Sequence, residues 1–231
     1  MLRLIVSVLL VVNCSLANGI AQDGPRRIID PKIIPLSGAA TKDFVPQGWK
    51  IEQEISGDLN ADNQPDAVVQ LIEDKPEKNN KGEYQDRYRV LLILLKSRDG
   101  KFQRGAVAAK LLQCTGCGGI LGSGGTGADL KIEKGVLIVS QLSGSREMRE
   151  ITQRFRFDPV AKRFVLIGQD VAERDRATGK STTFSTNFLT GKQVIEKTRY
   201  NQKTDKEVTV SKTTKIVPKA KKFIEAVDYE Q

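Results

Sequence analysis

From Trp49 onward the chain is written in short runs. WKIEQEI, DAVVQLI, RYRVLLILL, RGAVAAKLL, ADLKIE, GVLIVSQL, ITQRFRF and RFVLIGQDV are each of strand length, apolar or alternating, and separated by turn-forming residues. No stretch carries a helical stripe over ten or more residues, and KLLQC and PKAKKFIEAV suit short helices only. FDPVAKRFVL reads as one hairpin whose turn opens at Asp158-Pro159. In the last third Ala177-Thr178-Gly179-Lys180, Leu189-Thr190-Gly191-Lys192 and Lys203-Thr204-Asp205-Lys206 recur at steps of 12 and 14 residues, with Thr, Val and Ile between them. The pattern predicts an all-β fold, an antiparallel meander built as an open barrel, sandwich or propeller-like sheet, with few or no helices and one sheet face toward water.

The ends divide differently. Arg3, the apolar stretch Leu4–Val12 and small residues at Ala17 or Ala21 have the anatomy of a secretory signal peptide, expected over residues 1–21. The apolar stretch is far short of the roughly 20 residues that span a bilayer, and no later segment is long and apolar enough either. Cys14 offers lipid attachment as a second reading, ranked below simple cleavage because Asn13 stands where a small residue is wanted. Residues 22–48 hold four of the eight prolines and lack sustained periodicity, so they read as a leader or linker. Residues 49–216 are the expected β domain and 217–231 a tail.

After WKIEQEI comes GDLNADNQPDAVV, an acidic loop that runs into the next strand. Counting Asp58 as position 1, Asn60, Asp62, Gln64 and Asp66 fall at positions 3, 5, 7 and 9. A hard cation such as calcium takes six to eight oxygens, and side chains at alternate positions of a wrapped loop converge on one point. Position 7 needs only its carbonyl. Position 6, Asn63, tolerates the positive φ that the turn demands. The loop is no EF-hand, since Val69 stands where the closing acid would be and a strand follows. Asp66 must close the site. The other reading is an ion-free Asx-rich turn, but three converging carboxylates without a cation repel one another. A structural calcium ion is therefore expected on Asp58, Asn60, Asp62, Gln64 and Asp66.

Cys114 and Cys117 form C-x-x-C ahead of a glycine-rich run that reaches Gly127. A disulfide, a reactive pair and a partial metal site are the three readings. A helix N-terminus that would activate the first thiol is disfavoured by Gly118 and Gly119, and a closed zinc site lacks its other ligands. In an oxidising compartment the small-loop disulfide is the simplest outcome. The glycine run could cradle an anion through its amides, a weak signal without a following Lys-Ser/Thr. Gly179-Lys180-Ser181-Thr182 ends like a P-loop, but Arg174 stands where that motif needs glycine.

The chain has no histidine, which removes Ser-His-Asp and Cys-His catalysis and His-ligated zinc. Its net charge of +9 is uneven: residues 172–222 hold thirteen Lys or Arg against five Asp or Glu. That stretch could hold an anionic envelope component, or could be a solvated face of Lys-rich strands that keeps edges from pairing. No aromatic-rich motif accompanies it, so nucleic acid is not expected.

The acidic loop running into a strand resembles the calcium loops of FG-GAP and VCBS-type repeats, where the loop caps a hairpin or blade. Taken with RVLLILL, CTGCGGILG, Gly144-Ser145-Arg146, FRFDPVAKRFVLIG and TNFLTGK, the span from Trp49 to Lys192 resembles exported, uncharacterised bacterial proteins that pair a G-D-L-N-x-D-x-x-x-D loop with a C-x-x-C-G-G loop. This resemblance implies a periplasmic or secreted β-domain, frequently lipid-anchored, without assigned enzymatic activity. Relatives often place Gly-Asp after C-x-x-C-G-G, where this chain has Gly122-Ser123. Two functions stand: a non-enzymatic, calcium-stabilised β-module that binds an envelope component, or a hydrolase of envelope polymer or small ester using Asp129 or Glu147 with Arg146 holding an anion. A third, thiol-based redox reading rests on Cys114 and Cys117.

Overall fold

The computed structural model describes residues 28–122, 127–219 and 221–229. The expected signal segment 1–21 and the lipid-attachment reading at Cys14 lie outside them, as does part of the glycine run.

The chain is all-β, in two antiparallel sheets. Strands β1 (Ser37–Gly38), β2 (Trp49–Gly57), β3 (Asp66–Glu73), β4 (Arg89–Lys96) and β5 (Phe102–Ala108) form the first, in the order β1-β5-β4-β3-β2. The second is a seven-stranded meander: β6 (Asp129–Glu133), β7 (Val136–Gly144), β8 (Glu147–Asp158), β9 (Arg163–Asp175), β10 (Lys180–Asn187), β11 (Lys192–Asn201) and β12 (Lys206–Ile216) pair strictly with their sequence neighbours. Neither sheet closes into a barrel. Among the described residues the one α-helix is a single turn, Gly119–Gly122.

The continuous apolar runs explain the first sheet. All eight residues of β3 are buried, as are the first six of β4, as expected of strands covered on both faces. One face, with Val68, Leu91 and Ile93, meets Leu137, Val139, Phe155 and Phe164 of the second sheet in a shared core. The other face, with Val69, Leu71, Leu92 and Leu94, is covered by Ile29, Ile34, Phe44 and Trp49. The segment read from sequence as a leader or linker thus supplies a layer of the domain over residues 28–48. Its prolines and 3-10 turns (Pro31–Ile33 and Thr41–Phe44) erase periodicity while Phe44 stays fully buried. The tail also docks: Ile224 and Val227 enter the shared core, and Phe223 bridges Val165.

Beyond β9 the second sheet leaves the core. Burial falls strand by strand through β10 and β11, and every residue of β12 is exposed. The basic meander is a single-layer extension with water on both faces.

Candidate functional site

The acidic loop joins β2 to β3, whose register begins at Gly57 opposite Asp66, so it caps a hairpin. Its side chains alternate. Asp58, Asn60, Asp62 and Gln64 are half-buried and Asp66 is fully buried, whereas Ala61, Asn63 and Pro65 are exposed. Asn63 has φ of 63°, as position 6 demands, and Ala61, which the sequence reading did not single out, has φ of 64°.

Consecutive Asx turns hold this path. Asp58 Oδ1 accepts the N–H of Ala61 (2.8 Å) and of Asp62 (3.3 Å), and its Oδ2 that of Asn63 (3.0 Å). Asn60 Oδ1 accepts from Asp62 N (3.1 Å), while its amide donates to Asp62 Oδ2 (3.0 Å). Asp62 Oδ1 accepts from Gln64 N (2.8 Å). Asp66 takes Leu59 N at 2.9 Å and Lys96 N at 2.8 Å, one on each oxygen. Burial raises the Asp66 pKa against these two hydrogen bonds, and the charges of Asp62 and Asp58 raise it further. Among the described residues no Lys or Arg pairs with any of the three carboxylates.

For a hard cation the donor set fits in kind: oxygens only, half-buried at alternate positions of the loop, beside a buried carboxylate that has no cationic partner among the described residues. The spacing is looser. Among the described residues no three His, Cys, Asp or Glu side chains are grouped so as to hold a metal ion, because each loop carboxylate oxygen is turned onto a hydrogen-bond donor. All but Asp58 Oδ1, which already accepts two N–H groups, keep a second acceptor position. An open cleft walled by Asp58, Asn60, Lys134, Arg156 and Phe157 gives access to the loop from solvent.

Cys114 and Cys117 form a disulfide. Cys114 is buried, Cys117 is exposed, and the bridge pins the start of the glycine-rich segment. Beneath it lies a polar network that the sequence reading missed. A bulge in β2 between Ile51 and Gln53 leaves Glu52 unpaired in the ladder, and bulges re-aim side chains. Glu52 receives both forks of the buried Arg89, Nε at 2.6 Å and Nη2 at 2.8 Å, and the Gln70 amide at 2.8 Å. Arg89 Nη1 donates to Gln113 O (3.2 Å), and Gln113 N donates to Gln141 Oε1 (2.8 Å). Gln70 Oε1 accepts from Ala128 N (3.3 Å). At Gly127, φ is 90° and a Cβ would collide with the Gln70 amide, so the strand carrying Asp129 can approach only through glycine. The sequence signals were Gln70 interrupting an apolar run and Arg89 standing at the head of another.

Of the residues of the hydrolase reading, Arg146 and Glu147 lie together at the start of β8, with Glu147 directly opposite Asp175 of β9 and both carboxylates lining one open cleft, while Asp129 stands apart on β6. Arg146 holds Asp175 through two contacts of 3.2 Å, which keeps the Asp175 carboxyl far below the usual carboxylate range. Asp129 pairs with Lys131 at 2.9 Å on β6, and Glu147 begins β8.

Compared with protein-family models, curated proteins and solved structures, the chain matches none.

Proposed function

We propose that this is an exported, periplasmic or secreted, non-enzymatic β-module in which the acidic loop takes a structural calcium ion and the surface binds an anionic envelope component. The observation that carries the calcium reading is Asp66: a fully buried carboxylate, two further acids near it, and no cation paired with any of them among the described residues. Asp58, Asn60, Asp62 and Asp66 would supply side-chain oxygens and Gln64 its carbonyl. The ion's contribution is charge neutralisation that lets the loop stay wrapped. The resemblance to FG-GAP and VCBS-type loops supports the same assignment. Outside the cytosol a Kd of about 10⁻⁴–10⁻³ M is sufficient, and free ion at ten times Kd adds roughly 1.4 kcal/mol by mass action. Export is supported by the signal-like N-terminus and by a disulfide whose thiols would stay reduced in most cytosols. Equilibrium dialysis against millimolar calcium tests the site: wild type should hold the ion and Asp58→Ala with Asp62→Ala should not. Wild type that binds no calcium overturns the reading.

A further inference from the structure

The register of the single-layer extension sorts its charge by face. Opposite residues of an antiparallel pair share a face, and alternate residues change face. Following Gln153 to Gln169, Thr186 and Gln193 traces the side that faces the core. Along β10, β11 and β12 that side carries Lys180, Lys197, Arg199, Lys206 and Lys215 and no acid, while the adjoining β9 adds Glu173 and Asp175 to it, Asp175 standing directly opposite Lys180 and held by Arg146. The opposite side of the same strands carries Lys192 and Lys212 against Glu196 and Glu207, with Lys212–Glu196 at 3.0 Å and Glu207 taken by Arg174 of β9. No ion pair involves the five cations of the first side among the described residues. Edge protection alone does not require such sorting, since Lys on either side deters pairing.

The arrangement is also ordered along the sheet. Lys180 lies directly opposite Arg199, Lys197 is two residues away on the same strand, and Lys206 faces Asn201, two residues beyond Arg199. Neighbouring cations are therefore about 5–8 Å apart at their Cα atoms. Thr182, Asn201, Ser211 and Thr213 stand among them with hydrogen-bonding side chains.

This face is a ledge, because the first sheet covers its continuation over β6–β9 and stacked sheets lie about 10 Å apart. A planar bilayer meeting the ledge would strike the first sheet, whereas a single polymer chain can lie along it. Base stacking needs exposed aromatic rings. Tyr200 is on the opposite side, and Phe184, on this side, is half-buried. We infer that the core-side face of β10–β12 is a docking surface for an anionic polysaccharide, its charged groups held by Lys180, Lys197, Arg199 and Lys206 and its hydroxyls by the interleaved polar side chains. The inference rests on the export reading above, which places such polymers within reach, and it does not depend on calcium.

The test is binding of a soluble oligoglucuronate to the full mature chain at low salt, in calcium and in chelator. Lys197→Ser, Arg199→Ser and Lys206→Ser combined should lower affinity at least about tenfold. The charge-matched triple Arg174→Ser, Lys192→Ser and Lys212→Ser on the other face should leave it near wild type, in both conditions. Equal loss in the two triples, absence of binding by wild type, or tighter binding to phosphatidylglycerol vesicles or oligothymidylate overturns the inference. Binding lost in chelator overturns it as well, because the face is inferred to act without calcium.

Discussion

Asp66 accepts the backbone N–H of Lys96 at 2.8 Å across thirty residues of sequence while its other oxygen takes Leu59 N at 2.9 Å. One carboxylate thus ties the acidic loop to the end of β4. Asp66→Ala strands the buried Leu59 amide and the part-buried Lys96 amide at about 1–3 kcal/mol each, so in chelator the urea midpoint should fall by the equivalent of about 2–6 kcal/mol. Asp66→Asn keeps one acceptor oxygen and removes the buried charge, and should cost less. Equal losses for the two variants would contradict this role.

The layer formed by residues 28–48 gives a second test. Phe44 is fully buried against the first sheet, and Phe→Ala at such a site costs about 3–5 kcal/mol. Phe44→Ala should lower equilibrium stability by that amount. A change near zero would return this segment to the status of a linker.

The Glu52–Arg89 pair is nearly enclosed, with Arg89 3 % exposed. Removing one partner of a buried pair costs about 3–5 kcal/mol, because the other charge is left uncompensated. Arg89→Met should show that loss, and Arg89→Met with Glu52→Gln should recover part of it in a double-mutant cycle. Additive losses would show that the two side chains are not coupled.

At the tail, Lys221 Nζ lies 2.6 Å from Asp158 and, with the N–H groups of Ala161 and Val160, holds that carboxyl below its ordinary value. A depressed folded pKa contributes stability above the unfolded value, about 3.9, and the contribution is lost as pH falls through the folded value. The pair should persist from neutral pH to about 4 and release below that. An NMR titration of the Asp158 carboxyl should give a midpoint under 3.9. A midpoint at or above that value contradicts the pairing.

How far the sequence foretold this arrangement depended on how local the signal was. Alternation, turn chemistry and the steps of 12 and 14 residues are local, and they predict the antiparallel β-rich chain and the polar character of β10–β12. The positive φ at Asn63 was legible because position 6 of the loop demands it. Layering was not legible. Phe44 and Ile34 sit among prolines with no period to mark them, and Ile224 lies beyond the last strand. Glu52 reads as one more polar residue in WKIEQEI until the bulge turns it toward Arg89. The sorting of cations onto one face of β10–β12 depends on register and on the bulge between Lys197 and Thr198, which composition averages away.

The most direct measurement is thermal unfolding of the mature, metal-loaded chain in millimolar calcium and again after chelation, with Asp58→Ala alongside. The account predicts a higher Tm in calcium, by the equivalent of about 1–3 kcal/mol for free ion at ten to a hundred times Kd, with the difference lost in the variant. A Tm that chelation leaves unchanged, in protein shown to have started with the ion bound, contradicts it.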